Sequence, residues 1–170
     1  MSTQAHPFSL AFRPMTLDDV ERVHEIDTLS FSLSWSERSY RFELTENRNS
    51  IAWVAETSGV DGGICVMGMV VVWVILDEAH LATIAIHSDY RGYGIGCRLL
   101  ANGLIAAYMR GARLAYLEVR RGNLPAQNLY AKFGFKVVGD RLRYYKDNNE
   151  DALLMTLDCL QIDQLQAFAV

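Results

Sequence analysis

Apolar positions along this chain recur with two rhythms, every second residue or every third to fourth, and the switches between them mark out strands and helices. A first strand is expected from Phe8 to Arg13, halted by Pro14. Thr16, followed by Asp18 and Asp19, opens a helix over 17–29 in which Val20, Val23, Ile26 and Asp27 follow helical spacing in part. A serine-rich connector over 30–34 leads to Ser34 or Ser36, either able to cap a second, more polar helix ending near Glu46. Residues 51–56 read as a strand, 58–63 as a turn, and 64–76 as the most apolar run. That run is too short to cross a bilayer as a helix, so a buried strand is predicted.

After a tight connection over 76–79, residues 81–86 form a strand apolar on both faces, as a central strand should be. A glycine-rich turn, Arg91-Gly92-Tyr93-Gly94-Ile95-Gly96, then opens a helix over 95–110 whose only polar positions near its start are Arg98 and Asn102. Gly111 ends that helix, 114–120 is another strand, and Asn123 is placed to cap a short helix with Pro125 in its first turn. Gly134 stops the short helix. Strand segments over 135–138 and 141–145 flank an expected bulge near Gly139-Asp140, and a turn over 146–149 leads to a closing strand over 152–157. Without repeats or linkers, this order predicts one mixed α/β domain over 1–170, with a core of about 8–158 and a tail from 159 to 170. Leu165, Phe168 and Val170 in the tail suit either a core edge or a dimer contact, so monomer and homodimer both stay open.

Composition narrows the class. Hydrophobic residues make up 51% and charged ones 21%, as in ordinary globular proteins. A net charge of −4 argues against a broad nucleic-acid surface. Cys65, Cys97 and Cys159 are odd in number and widely spaced, which disfavours a disulfide framework or a metal site and fits a reducing compartment. Residues 1–10 lack a basic start and a long apolar run, so no signal peptide and no membrane association are expected, and a cytoplasmic location is.

Two places carry candidate chemistry. Strand, glycine-rich turn and helix start together aim backbone N–H groups at one point, where the helix dipole favours an anion such as phosphate. A dinucleotide G-x-G-x-x-G pattern fails at Cys97 and Leu99, and no Gly-Lys-Ser/Thr follows the turn, so both common nucleotide loops are excluded. On these grounds alone the turn is as readily structural as functional. The second place is Glu118, alone in the apolar strand over 114–119 and on the same face as Tyr116. Burial would raise its pKa toward a general base's range; alternatively it reaches solvent or pairs with Arg120 or Arg121. Tyr130 shares a helical stripe with Ala126, Leu129 and Phe133, the pattern of a core tyrosine. Cys97 lies near a helix start, where thiolates are favoured, but has no adjacent histidine and suits a small buried position; His80 and His87 flank the central strand as structural residues.

The R-x-x-G-x-G pattern of Arg91, Gly94 and Gly96 resembles the GNAT superfamily of acyl-CoA-dependent N-acyltransferases. Leu117-Glu118-Val119, Asn123, Leu129-Tyr130 and Gly134-Phe135 resemble that family's second half, and more closely the RimI-like ribosomal-protein-alanine N-acetyltransferases. Asp77-Glu78-Ala79, Ile84-Ala85-Ile86, Asp89-Tyr90, Tyr144-Tyr145 and Glu150-Asp151-Ala152 fit the same pattern, which covers about 29–157. The resemblance implies a GNAT fold, a mixed, mostly antiparallel central sheet with helices on both faces. It implies acetyl-CoA as cofactor, its pyrophosphate held by Gly92, Tyr93, Gly94, Ile95, Gly96 and Cys97, with Arg91 at the motif's first position and Asn123 in the same set. Main-chain groups of Ile84, Ala85 and Ile86 would line the pantetheine arm. Glu118 would act as general base and Tyr130 as the acid toward the departing thiolate, with acetyl passing directly to the α-amino group of a protein N-terminus. Phe31, Trp35, Arg141, Arg143, Tyr144 and Tyr145 would border the acceptor. The connector 31–35 is longer, and the loop after Tyr145 shorter, than in typical RimI-like chains. A small-amine acetyltransferase and a silent acyl-CoA-binding module are the alternatives.

Overall fold

The computed structural model describes residues 9–58 and 63–170; Phe8 and the middle of the expected turn over 58–63 lie outside them. Among the described residues there are seven strands: β1 (Ala11–Pro14), β2 (Ser50–Ser58), β3 (Ile64–Ile75), β4 (Glu78–Ile86), β5 (Leu114–Arg120), β6 (Lys136–Tyr145) and β7 (Glu150–Leu157). The helices are α1 (Val20–Ser30), α2 (Glu37–Thr45), α3 (Ile95–Met109), α4 (Leu124–Lys132) and α5 (Ile162–Ala169). The strands form one sheet in the order β1-β2-β3-β4-β5-β7-β6, antiparallel throughout except for the parallel pair β4–β5.

Period-two alternation sorts the sheet's side chains onto two faces. Val70, Val72 and Val74 of β3 pack with Leu99, Leu100 and Leu104 of α3, and with Tyr130, Phe133 and Leu165 of α4, its C-terminal end and α5. Met69 and Val71 turn the other way, against Val20, Val23 and Ile26 of α1 and Tyr40 of α2. Helices therefore cover both faces. The tail folds as α5: Leu165 is buried and Phe168 stacks on Phe133, with ring centres 4.5 Å apart. This closes an edge of the core.

Several boundaries differ from expectation for local reasons. Pro14 belongs to β1 instead of ending before it, tolerated because β1 is an edge strand. The connection after β3 is tighter than expected, with Leu76 in the left-handed region (φ 57), so Glu78 and Ala79 already pair in β4. In β6 the register shifts fall at Val138 and between Arg141 and Tyr145, while Gly139 and Asp140 pair regularly. The second shift is made possible by Arg143 at φ 51, whose N–H bonds the Asp151 carboxylate at 2.9 Å.

Two buried aspartates fix the ends of α1, with opposite consequences for stability. Asp19 accepts two bonds from Arg13, at 2.7 and 2.8 Å, and one from the Thr16 N–H at 2.7 Å. Burial alone would raise its pKa, but Arg13 and Thr16 outweigh burial and hold it below the usual carboxylate range. Its stabilising contribution is therefore present above the unfolded pKa and is lost as pH falls through the folded one. Asp19→Asn is expected to cost ~1.5–3 kcal/mol in urea denaturation at pH 7, the difference vanishing in acid. Asp27 is 1% exposed and receives the Trp35 N–H on Oδ2, with the buried Tyr40 hydroxyl beside the carboxylate. Burial raises its pKa, so the native state becomes more favoured as pH falls through that value. Asp27→Asn keeps an acceptor for Trp35 without the buried charge and should leave stability at pH 7 unchanged or higher.

Candidate active site

The site begins where the parallel strands β4 and β5 part. β4 and β5 pair from Glu78↔Leu114 to Leu81↔Leu117 and no further, although β4 runs on to Ile86 and β5 to Arg120. β4 stays paired with β3 as far as Ile86, so beyond Leu81 its other edge has no strand partner among the described residues. This leaves Ile84, Ala85 and Ile86 with backbone bordering an opening. It also explains why Ile84 and Ile86 are only partly buried, although the sequence reads as a fully covered strand.

The glycine-rich turn closes one end of the opening. Gly92 and Gly94 have φ of 86 and 77, and a Cβ on either would meet nothing within 4 Å, so both backbones face open space. Gly94 is the N-cap of α3 in the left-handed region, which only glycine adopts routinely. Its carbonyl receives the N–H groups of Cys97 and Arg98, at 3.1 and 3.2 Å, while those of Ile95 and Gly96 find no acceptor among the described residues. Cys97 thus spends its amide inside the helix, although the family pattern counts it among the phosphate contacts. Burial raises its thiol pKa, against a role as nucleophile. The Arg91 guanidinium braces the turn: Nε donates to the Ile86 carbonyl at 2.8 Å and Nη2 to the Ser30 hydroxyl at 3.3 Å. Tyr93 is 43% exposed beside it. A Cβ on Gly96 would lie 3.6 Å from Ile86 and 3.7 Å from Leu129, so the end of β4, the start of α3 and the Tyr130 helix converge there. Asn123 caps that helix, its side chain accepting the Ala126 N–H at 3.2 Å.

Glu118 is the first residue of β5 beyond its last pairing with β4. It points with Tyr116 to the α1–α2 face, while Leu117 and Val119 join the α3 side of the core. Of the two readings left open, a buried carboxylate or one that reaches solvent or an arginine, the second is closer: its side chain is 30% exposed. Its ion-pair partner is Arg141 of β6 at 3.0 Å, not Arg120 or Arg121. The Tyr144 hydroxyl lies near enough to Glu118 that the carboxylate holds that phenol's pKa above its usual value. Tyr130 approaches from the opposite face. It is 5% exposed, packs against Phe135, and burial, aided by neighbouring Tyr145, holds its pKa well above that of a free phenol. It therefore stays protonated as a hydrogen-bond donor at neutral pH. His80 and His87 are occupied structurally, by Glu78 at 2.9 Å and by the Asp89 N–H at 3.3 Å.

On the α1–α2 face the opening has two walls. One is the connector 31–35, the other the end of β6 and the turn after it. Ser32 bonds the Asp147 carboxylate across the gap, and Arg120 contacts both, at 3.3 and 2.8 Å. Arg120 also lies 3.9 Å over the Tyr145 ring and reaches Glu150 at 3.2 Å. Burial pushes the Tyr145 hydroxyl up to about 12. Phe31 is partly buried at the connector's start, whereas Trp35 stacks on Trp73, 6.1 Å away, and contacts Tyr40 on the α2 side. Arg143 is exposed, and its guanidinium makes no hydrogen bond or ion pair among the described residues. Ser32, Asp147 and Arg120 were not singled out from the sequence for this role. The Ser32–Asp147 bond spans 115 positions and has no local signature.

An anion-seating turn, a parted pair of parallel strands, and a carboxylate and a phenol on opposite sides meet at this one opening. The profile of the acetyltransferase (GNAT) family matches residues 20–135. A protein of Bacillus subtilis (strain 168) is 40% identical over 145 residues, 85% of this chain and 93% of its own length. The [ribosomal protein bS18]-alanine N-acetyltransferase of Escherichia coli (strain K12) is 30% identical over 150 residues, 82% of this chain and 90% of its own. The crystal structure of the ribosomal-protein-S18-alanine N-acetyltransferase from Escherichia coli superimposes with a TM-score of 0.77 at 26% identity, covering 90% of this chain and 96% of that one. The chain belongs to the GNAT family of acetyltransferases. It is an N-acetyltransferase that uses acetyl-CoA. No helix of the described residues is long and apolar enough to cross a membrane.

The residues present fit that cofactor: two glycine backbones facing open space, two unpaired helix-start amides and an unpaired strand edge form a cradle for a diphosphate and an amide-bearing arm. Gly94→Val would force a β-branched residue into the left-handed region and put side chain where the backbone faces open space. Acetyl-CoA affinity by calorimetry is expected to fall at least ~10-fold while the fold persists.

Proposed function

We propose that this enzyme acetylates the α-amino group of a protein N-terminus by direct transfer, with Glu118 as general base and Tyr130 as general acid. The observation that carries the reading is the position of Glu118: at the point where β4 and β5 part, on the face bordered by the connector 31–35 and by Arg141, Tyr144 and Tyr145. An acceptor entering on that face reaches Glu118, while the glycine turn and Tyr130 serve the opposite side. The ribosomal-protein-alanine N-acetyltransferase of Escherichia coli, similar to this chain in both sequence and structure, supports a protein acceptor.

Acetyl-CoA supplies the activated acetyl group when bound. Glu118 takes a proton from the acceptor ammonium, directly or through water, so that a neutral amine attacks. An α-amino group, with a pKa of about 8 against about 10.4 for lysine, is far easier to neutralise in this way. A backbone N–H on the free edge of β4, that of Ile86 and not that of Ala85, which faces β3, polarises the carbonyl. Tyr130 donates its proton to the departing sulfur. Cys97, with its pKa raised by burial, takes no part.

Steady-state assays with free N-terminal peptides and with a panel of small amines test the acceptor class. Peptides are expected to give kcat/KM values at least ~100-fold higher, since only they extend between the two walls. Equal or better turnover of small amines would sink the reading.

A further inference from the structure

On the α1–α2 face, away from Glu118, lies a cavity of about 400 Å3 bordered by Trp35, Arg38, Phe42, Glu43 and Trp73. Its chemistry is one-sided. Glu43 is 8% exposed, and its Oε2 accepts both the Trp73 indole N–H and an Asn47 amide N–H, each at 2.8 Å. Both donors are neutral and share one oxygen. Among the described residues Oε1 has no donor and no cation stands within ion-pair distance of the carboxylate. Oε1 is not sealed from the cavity and is left open to a cation supplied from outside. Around it are aromatic walls: Trp35 and Trp73 lie 6.1 Å apart with planes 18° from parallel, and Phe42 is 48% exposed. Indole faces beside a carboxylate are the chemistry that binds organic cations.

The cavity also connects to the catalytic carboxylate along the sheet. Trp73 pairs with His80, and His80 with Tyr116, so the three share one face. The His80 and Tyr116 rings lie 5.4 Å apart, and Glu118 follows Tyr116 on the same face of β5. Two strand spacings across and two residues along place Trp73 about 12 Å from Glu118 at backbone level. The geometry points to the cavity as an exosite for a lysine or arginine side chain of the acceptor protein, carried about four to six residues from its N-terminus on an extended chain. This rests on the proposed N-terminal acetylation and adds to it a reason for preferring protein acceptors. Arg38 stands exposed at the rim without pairing to Glu43 and opposes the incoming cation.

The test is a peptide series sharing its first three residues: a tripeptide, a neutral octapeptide, and octapeptides with a single lysine at each of positions four to seven. One or two lysine positions should raise kcat/KM ~10-fold over the neutral octapeptide, through KM with kcat unchanged. Glu43→Gln, which keeps an oxygen for Trp73 and Asn47, should abolish that gain and leave the tripeptide rate within about twofold, which also reports an intact catalytic site. Arg38→Ala should enlarge the gain. Tripeptide turnover with no gain at any position, or a gain that survives Glu43→Gln, overturns the exosite alone. Failure to acetylate any peptide instead overturns the acceptor reading beneath it.

Discussion

Glu118→Gln is expected to lower kcat by ~10²–10⁴-fold, the range over which a positioned general base contributes. The substitution is nearly isosteric. Beside Tyr144, glutamine can still accept from Arg141, which pairs with Glu118 now, so the two walls of the opening should hold their places. What is lost is the capacity to take a proton from the ammonium of the acceptor. The effect should therefore fall on kcat, with the KM for peptide changed little. Acetyl-CoA affinity, measured separately by calorimetry, should be unchanged, because the glycine turn and the free edge of β4 do not involve Glu118. A fully active variant would remove Glu118 from the chemistry and leave the Arg141 pair as a structural contact.

Tyr130→Phe should cost about 10²-fold in kcat through loss of the acid. Because burial keeps this hydroxyl protonated beyond the ordinary phenol range, the loss should be constant across neutral and mildly alkaline pH. The dependence on leaving group separates a chemical role from a packing one. An acyl donor with a more acidic thiol needs less help at sulfur, so it should lose much less activity on mutation than acetyl-CoA does. A packing defect would slow both donors equally. No protein hydrogen bond to the Tyr130 hydroxyl is present among the described residues, so the variant should melt at the wild-type temperature or slightly above.

Much of this site is legible in the sequence because its determinants are local. Val20, Val23, Ile26 and Asp27 are all buried along one side of α1, as their spacing predicts. Positive φ at Gly94, Gly111 and Gly134 coincides with the start or end of a helix, and Ser36 and Asn123 act as caps through their own side chains. Period two alone put Glu118 on the face of Tyr116. The sequence could not show what Glu118 meets there. Arg141 reaches it from a strand two places across the sheet, in a register set by the shift at Val138. Trp35 likewise reads as part of an acceptor wall, yet it stacks on Trp73, because Asp27 pins its backbone against α1. The tail reads as a covering segment, and only the Phe133–Phe168 contact shows which surface it covers. Caps, turns and faces are short-range properties; partners across the sheet depend on register, which a single chain does not spell out.

The most direct measurement is tandem mass spectrometry of a peptide that carries both a free α-amino group and an internal lysine, after a single turnover with acetyl-CoA. Acetyl is predicted on the α-nitrogen alone, with the wild-type enzyme unmodified at every cysteine. Acetyl on the lysine, or on Cys97 before any peptide is added, would contradict direct transfer from a site built around Glu118 and Tyr130.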